Sequence, residues 1–500
     1  MRGATRSVAK NTFLLTLGLM SGRLLALFLT RKMTPLLGPD GLGIWVTSID
    51  LSSILLVVAN FGLGTLITRE ITRAGAMTGP ILWAALRIRW LLGLLCYGFL
   101  LVFVEASDFS DIARQAMLLA GLAIFIESTN MACDAVLQGH EKFQYQSLSQ
   151  VVSAFVYFGL GWVWLDAGHG VLGVIWANIA GRVVRLAIVA PLMFWRAGPW
   201  RFRVAPDERR PDWRWLLKLG LPMFLATTFG IIYNKVDTVM LNRMIGEAAA
   251  GIYGLGHRAL DVTIIVPNLF ATALFPAMTR YGMQTSADAV RLGERSLRFI
   301  LTAIIPFTLF LCFVAAPIIH WFDKGTEFAD SIPIFTIVIW GLPLFAANII
   351  MSRLLLTADL ERAFIRIGLV SMLVNVVLNL LLIPRYSYYG ASVATIISVG
   401  VAFWMHVLSL SGSGFRPPLR RAVLGPVAAT ILGWLATAAA VRLLVPSWSG
   451  GWLGLPLNAG WVPFLAVVGL YVLLYVLSVA LLGVIRREDL GLLGQLFHRS

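Results

Sequence analysis

The chain alternates long apolar runs with short polar breaks. A helix needs about 20 residues to cross the ~30 Å hydrocarbon core of a bilayer. Fourteen runs reach that length, and they lie near 12–33, 42–66, 80–104, 114–138, 146–166, 171–195, 214–241, 250–278, 297–321, 332–356, 364–384, 387–410, 421–444 and 460–485. The pattern therefore predicts an all-α polytopic membrane protein with about fourteen transmembrane helices.

A short motif between the first two runs occurs again later in the chain. Residues 37–45 align with residues 245–253, and Gly43 aligns with Gly251 at an offset of 208 positions. Each copy lies between two apolar runs, which predicts a tight turn joining two spans. Six runs precede the break between the halves, so both halves start in the same orientation. This predicts a parallel duplication whose pseudo-twofold axis lies along the membrane normal.

The longest polar break between the repeated halves, residues 196–218, is basic and contains three prolines. Such a composition is typical of a linker between two helical bundles. We therefore expect an N-lobe of six spans in residues 1–200. A C-lobe of six spans follows in residues 201–412, with the basic cytoplasmic linker at its start. Two further spans in residues 413–500 lie outside the repeat.

The composition agrees with a membrane protein. Apolar residues make up 58% of the chain and charged residues 13%, whereas soluble domains average about 45–50% and 25%. The net charge of +15 would suggest nucleic acid in a soluble protein, but here lysine and arginine concentrate in alternate loops. By the positive-inside rule, both termini are expected in the cytoplasm, with the chain in the cytoplasmic (inner) membrane. Nucleic acid is not an expected partner.

The sequence lacks the common motifs of nucleotide hydrolysis, zinc-dependent proteolysis and serine hydrolysis. It contains no G-x-x-x-x-G-K-[ST] phosphate loop, no H-E-x-x-H and no G-x-S-x-G. The three cysteines lie inside apolar runs without the spacing of metal ligands. We therefore expect no direct ATP hydrolysis, no cofactor and no metal site. Two equal bundles with a cavity between them predict a transporter and not an enzyme, although the duplication alone also allows a channel.

Several short segments resemble those of a known family. They are Leu37–Trp45, Asn60–Thr65 and Arg69–Ile71 in the first half, and Asp237–Leu241, Gly251–Tyr253 and Ala273–Pro276 in the second. These segments are similar to bacterial oligosaccharide flippases of the polysaccharide-transporter branch of the multidrug/oligosaccharidyl-lipid/polysaccharide (MOP) exporter superfamily. The resemblance implies a two-lobed, fourteen-helix fold that moves a polyprenyl-diphosphate-linked glycan from the inner to the outer leaflet.

Charged residues inside the spans are candidates for the headgroup site. A charge at the centre of a membrane helix costs about 2.5–3.5 kcal/mol on insertion scales, so it needs a partner or a polar cavity. For the diphosphate that the resemblance implies, cationic contacts are expected from Arg23, Arg258 and Lys235. Their polar partners in the cavity would be Asp50, Asp237 and Asp261. The alternative is that Asp50 with Arg23, and Asp261 with Arg258, form structural ion pairs between helices.

A second group of polar residues lies on the fourth and sixth spans. Glu127, Asn130 and Asp134 are spaced i, i+3, i+7 and share one face of the fourth helix, and the sixth carries Arg182 and Arg185. These spans could pair across the first lobe. They could also provide a coupling site for Na⁺ or H⁺, which the sequence leaves open.

Three functions remain in view. The first is the lipid-linked oligosaccharide flippase, with membrane lipids, a polysaccharide polymerase and glycosyltransferases as further partners. The second is a drug/cation antiporter of the same superfamily. The third, a membrane polysaccharide polymerase or ligase, usually needs a large outer loop, and the longest outer segment here, 445–459, is short.

Overall fold

The computed structural model describes residues 2–73, 78–197, 213–272, 274, 286–412, 420–444 and 461–484. Most of the predicted linker and the outer segment 445–459 lie outside these residues. Fifteen α-helices and one short π-helix, Arg420–Leu424, have both ends within these residues, and residues 265–272 are helical as well. The α-helices are α1 Arg2–Asn60, α2 Leu63–Arg73, α3 Thr78–Glu105, α4 Asp111–Gly139, α5 Phe143–Asp166, α6 Gly170–Ala197, α7 Trp213–Met244, α8 Glu247–Thr263, α9 Ser286–Phe313, α10 Ala315–Phe322, α11 Ser331–Ile339, α12 Leu342–Thr357, α13 Glu361–Ser411, α14 Gly425–Leu444 and α15 Trp461–Leu481.

Two of these helices are too long for one span. The apolar segment Gly22–Asn60 of α1 has 39 residues, or about 58 Å at 1.5 Å per residue. It departs from helical geometry at Gly38, where φ is 65° and ψ is −175°. This is where the sequence predicts the turn between the first two spans, and glycine adopts such a positive φ without the steric cost of a side chain. Helix α13 has a similar break at Ser387.

The described residues contain nine helices long and apolar enough to cross a bilayer. The number is ten if α11 and α12, which meet at a bend of 42°, form one broken span. The prediction of an all-α, multi-pass membrane protein is therefore confirmed.

The predicted run 42–66 is not one helix. Helix α1 ends at Asn60, Phe61 and Gly62 have φ values of 47° and 66°, and α2 starts at Leu63. Helix α2 is amphipathic, and it buries Leu66, Ile67 and neighbouring apolar side chains in a cluster with α3 and α4. Hydropathy missed this break because two left-handed residues change the direction of the chain without changing its polarity.

The described helices form two compact units. The first comprises Met1–Leu255, Phe322–Ala329 and Met372–Ala391, and the second comprises Gly256–Trp321, Asp330–Ser371 and Ser392–Ser500. In the second unit, a small cluster around Ala429 and Tyr475 packs α14 against α15. The phenol of Tyr475 also donates a hydrogen bond of 2.5 Å to the carbonyl of Thr302 on α9.

Candidate functional site

In the first unit, α1 and α8 touch through the repeated motif itself. A Cβ placed on Gly43 would lie 1.8 Å from the carbonyl oxygen of Glu247, and one placed on Gly251 would lie 2.0 Å from that of Pro39. Pro39 and Glu247 are 208 positions apart, as are Gly43 and Gly251. Each copy thus presents its glycine to the other copy's carbonyl, the reciprocity of a twofold interface. The backbones meet so closely that neither glycine can carry a side chain.

Further contacts extend this closure along α1. Gly254 faces Val46, its equivalent in the other copy, with 3.1 Å between the position of a Cβ and the valine methyl group. The amide of Asn242 on α7 donates a buried hydrogen bond of 2.9 Å to the hydroxyl of Thr47. The contacts from Gly43 to Thr47, named here the kink-side seal, close α1 against α7 and α8.

An ion pair follows the kink-side seal by one helical turn. Asp50 Oδ1 on α1 lies 3.0 Å from Lys235 Nζ on α7, with the aspartate side chain 8% exposed and the lysine side chain 26%. The structure thus brings together two of the residues predicted from the sequence. Arg23, on the first half of α1, is exposed.

Beyond the ion pair, the turn between α1 and α2 contacts α7. The rings of Phe61 and Phe224 stack with centroids 4.4 Å apart. A Cβ on Gly62 would lie 2.8 Å from the carbonyl oxygen of Gly220, and one on Gly220 would lie 2.8 Å from that of Phe61. These contacts, named here the α2-side seal, close the other end. Within the first unit, the Asp50–Lys235 pair therefore lies between two backbone seals.

Asp237, a predicted cavity residue, is buried between α7, α8 and α13. Its Oδ2 accepts a hydrogen bond of 2.9 Å from the phenol of Tyr253, and its Oδ1 accepts one of 2.6 Å from the amide of Asn379. The same amide donates to Oδ1 of Asn375 at 3.1 Å. Among the described residues, Nδ2 of Asn375 and Oδ1 of Asn379 have no hydrogen-bond partner. This arrangement fixes three helices to one another through a buried carboxylate.

The predicted group on the fourth and sixth spans comes together between α4 and α6. Glu127 Oε1 lies 2.8 Å from Arg185 Nη1, and Glu127 Oε2 lies 3.3 Å from Arg182 Nη1. The other arm of Arg185 contacts Asp134. The amide of Asn130 donates to Glu127 at 3.3 Å and to the carbonyl of Arg182 at 3.1 Å. Two carboxylates face two guanidinium groups, so the formal charges of this α4–α6 cluster cancel.

Arg182 also reaches a narrow cleft between α1, α4 and α6. Ser52, Ser53 and Asn178 line it, and its volume of about 10 Å³ holds about one water molecule. Neither this cleft nor any other part of the described chain groups three or more His, Cys, Asp or Glu side chains that could hold a metal ion.

The two remaining predicted residues belong to the second unit. Arg258 and Asp261 lie near the end of α8, and Arg258 is partly buried. Asp261, with its side chain 45% exposed, has Oδ1 3.9 Å from Nδ1 of His257. The sequence reasoning missed the two seals, although the repetition of Gly43 as Gly251 was an available signal for the kink-side seal, and it missed the buried Arg89 on α3.

Comparisons with known proteins agree with this architecture. A model of a family described as polysaccharide biosynthesis protein matches residues 8–282, and the MatE model matches residues 222–381. The probable low-salt glycan biosynthesis flippase Agl15 of Haloferax volcanii is 22% identical over 379 residues, which cover 75% of this chain and 77% of the relative. The probable flippase AglR of the same organism is 23% identical over 183 residues, 36% of this chain and 38% of the relative.

Solved structures share the fold. A lipid II flippase, MurJ, in an inward closed conformation superposes with a TM-score of 0.72 at 16% identity, over 94% of this chain and 98% of MurJ. An inward-facing multidrug resistance transporter of the MATE family gives a TM-score of 0.63 at 15% identity, over 78% of this chain and 95% of that one. The chain therefore has a MurJ/MATE-like fold.

Proposed function

This chain belongs to the polysaccharide biosynthesis protein family of the MOP superfamily, and we propose that it is a lipid-linked oligosaccharide flippase. In this proposal it moves polyprenyl-diphosphate-linked repeat units from the inner to the outer leaflet by alternating access. Membership makes it a membrane transporter and not an enzyme. The name of Agl15 supports a glycan as cargo, and the name of AglR supports flippase activity.

The observation that carries the proposal is the Asp50–Lys235 pair between two seals. Alternating access requires a polar site that can be closed from either side of the membrane. Seals built around close glycine backbone contacts suit this task, because they separate without breaking an ion pair. The partly exposed Lys235 can exchange its contact with Asp50 for a phosphate oxygen, since both partners are anionic oxygens.

The remaining headgroup contacts are proposals of the same kind. Arg23 on the first half of α1 and Arg258 on α8 would add guanidinium groups, whose planar fork matches phosphate oxygens. Asp50, Asp237 and Asp261 would be the polar partners of these cations.

We also propose fourteen spans, arranged as two six-helix lobes related by a pseudo-twofold axis, with two more spans at the C-terminus. The breaks at Gly38 and Ser387 support this number because each divides one long helix into two spans. The reciprocal contact of Gly43 and Gly251 supports the axis. The lobes would be residues 1–200 and 201–412, with both termini in the cytoplasm, where the loops are basic.

Coupling to a Na⁺ or H⁺ gradient through the α4–α6 cluster is a further proposal. A proton bound to Asp134 or Glu127 would remove one of the two negative charges that hold Arg185. Ion uptake would then loosen the packing of α4 on α6. The cancelled charges favour a proton over a metal cation, because a metal cation would meet two guanidinium groups.

A drug/cation antiporter is the second candidate. The match of the MatE model to residues 222–381 favours it, since that region includes Lys235 and Arg258. The two candidates differ in cargo, so one experiment distinguishes them. The membrane polymerase or ligase has no structural feature in its favour.

The test is transport in proteoliposomes. Purified protein is reconstituted with a polyprenyl-diphosphate-linked oligosaccharide, and a membrane-impermeant glycosidase measures how fast the glycan becomes accessible from the other side. We expect faster exposure than in protein-free vesicles. Arg23→Ala and Arg258→Ala should reduce the rate at least tenfold, whereas Arg87→Ala, an exposed arginine on α3, should not.

The flippase proposal would be rejected in favour of the antiporter if the folded protein exposed the glycan no faster than protein-free vesicles do and exported a cationic dye instead. Wild-type rates in both arginine variants would remove these residues from the headgroup site.

A further inference from the structure

Arg89 is a buried cation that has no acidic partner among the described residues. It lies on α3 with no exposed surface, beside the apolar cluster of α2, α3 and α4. Its Nη1 donates a hydrogen bond of 2.9 Å to the carbonyl oxygen of Ser128 on α4. Its Nε and Nη2 have no hydrogen-bond partner, and Arg89 forms no salt bridge with any described residue.

The nearby carboxylates of α4 are already engaged. Ser128 follows Glu127 in the chain, but successive residues on a helix point about 100° apart. Glu127 and Asp134 therefore face α6, where their charges are cancelled by Arg182 and Arg185. The titratable neighbour of Arg89 is the thiol of Cys133. In the part of the chain that the structure describes, the positive charge of Arg89 on the α3 side of α4 thus lacks a matching carboxylate.

The two unpaired nitrogens form one binding edge. In a guanidinium group, the Nε–H bond and one N–H bond of Nη2 point the same way, and this fork accepts one anion in a bidentate manner. The fork reaches the start of α2, because Nη2 lies 3.7 Å from where a Cβ on Gly64 would be. Gly64 is the second residue of α2, whose first N–H groups have no partner within the helix and carry the positive end of its dipole.

From these observations we propose that Arg89 and the N-terminus of α2 bind a small inorganic anion, such as chloride. Without a negative charge nearby, the positive guanidinium fork and the positive end of the α2 dipole would repel each other. An anion bound between them would be attracted by both. The enclosed position selects a small free ion. A phospholipid headgroup would bring acyl chains into a site with no exposed surface.

The anion would join three helices of the first unit. Arg89 comes from α3, its carbonyl partner from α4, and the N–H groups from α2, which directly follows the α2-side seal at Phe61 and Gly62. Occupancy would therefore stabilise the end of the first unit where α2 begins.

The test measures thermal unfolding of the full-length protein in detergent, with gluconate, a bulky organic anion, as the starting anion. Adding chloride or bromide at constant ionic strength should raise the Tm by a few degrees and then saturate, as expected for a ligand that binds only the folded state. Arg89→Gln should abolish this rise. Arg87→Gln, two positions away on the exposed side of α3, should retain it.

A second variant covers the case in which Arg89→Gln does not fold. Gly64→Ala fits sterically, since its methyl group would contact Nη2 at an ordinary distance, but it would occupy space between the guanidinium and α2. It should raise the halide concentration needed for half of the Tm shift at least tenfold. In crystals grown with bromide, an anomalous peak should lie within hydrogen-bond distance of Nε and Nη2 of Arg89.

A Tm that does not respond to halide in the wild-type protein would overturn the proposal. So would a rise of equal size in Arg89→Gln, or an anomalous map without a peak at Arg89. A response to added anionic phospholipid but not to halide would also contradict a free-ion site. None of these measurements depends on flippase activity.

Discussion

Substituting Gly43 by alanine tests whether the kink-side seal closes the transport path. The added Cβ would lie 1.8 Å from the carbonyl oxygen of Glu247, whereas real Cβ contacts essentially never fall below 3.0 Å. Helices α1 and α8 would therefore have to separate by about 1 Å or more. Overpacking of this kind costs about 1–3 kcal/mol, which lowers the population of the sealed state relative to open states about 5- to 150-fold.

Cysteine labelling measures this population. In a background without Cys96, Cys133 and Cys312, Thr47→Cys places a thiol in the kink-side seal, where the side chain is fully buried. We expect a membrane-impermeant maleimide to label it about 5- to 150-fold faster in Gly43→Ala, and transport to slow.

Because the contact is reciprocal, Gly251→Ala should have the same effect as Gly43→Ala. Gly98→Ala is the matched control, since a Cβ there meets no atom within 4 Å. Wild-type labelling and wild-type transport in both Gly43→Ala and Gly251→Ala would refute the view that this contact is a seal.

Three further predictions concern the other contacts. Gly220→Ala should open the α2-side seal and increase the labelling rate of a cysteine placed near Phe61, with the reagent added from the opposite face of the membrane. Gly230→Ala, where a Cβ meets no atom within 4 Å, should leave this rate unchanged. Equal labelling rates in the two variants would contradict a seal at Gly220. Exchanging the charges in Asp50→Lys/Lys235→Asp should restore the Tm lost in either single variant but not transport; restored transport would show that the lysine position is unimportant for the headgroup. Arg185→Met leaves Glu127 and Asp134 without this partner and should lower the free energy of unfolding by about 3–5 kcal/mol. Its Tm should therefore be lower than that of Asp134→Asn. Equal Tm values in the two variants would refute the charge balance.

The repeat and the helical spacing predicted much of what the structure shows. A constant offset of 208 positions identified Gly43 and Gly251 as equivalent, and the structure places them in contact. The spacing of Glu127 and Asp134 predicted a shared helix face, and both contact Arg185 on α6. These predictions rest on periodicity, which neighbouring residues on one helix must obey.

Other features depend on information that periodicity lacks. Lys235 is the observed partner of Asp50, although the sequence reasoning had considered Arg23 for that role. The choice of partner depends on how each helix rotates about its axis, and an evenly apolar span does not encode that rotation. Arg89 was missed because two arginines, Arg87 and Arg89, in a run of about 25 otherwise apolar residues leave the hydropathy of an ordinary span.

The reciprocal kink-side contact imposes a shared constraint on two distant parts of the gene. Since Gly43 and Gly251 lie in one interface, a substitution that adds a side chain at either position disrupts the same contact. Neither position can therefore change independently of the other. About two turns further along, Asp50 and its equivalent Arg258 carry opposite charges. The two copies of the motif thus keep the same glycine at their contact, whereas the charged residues that follow it differ in sign.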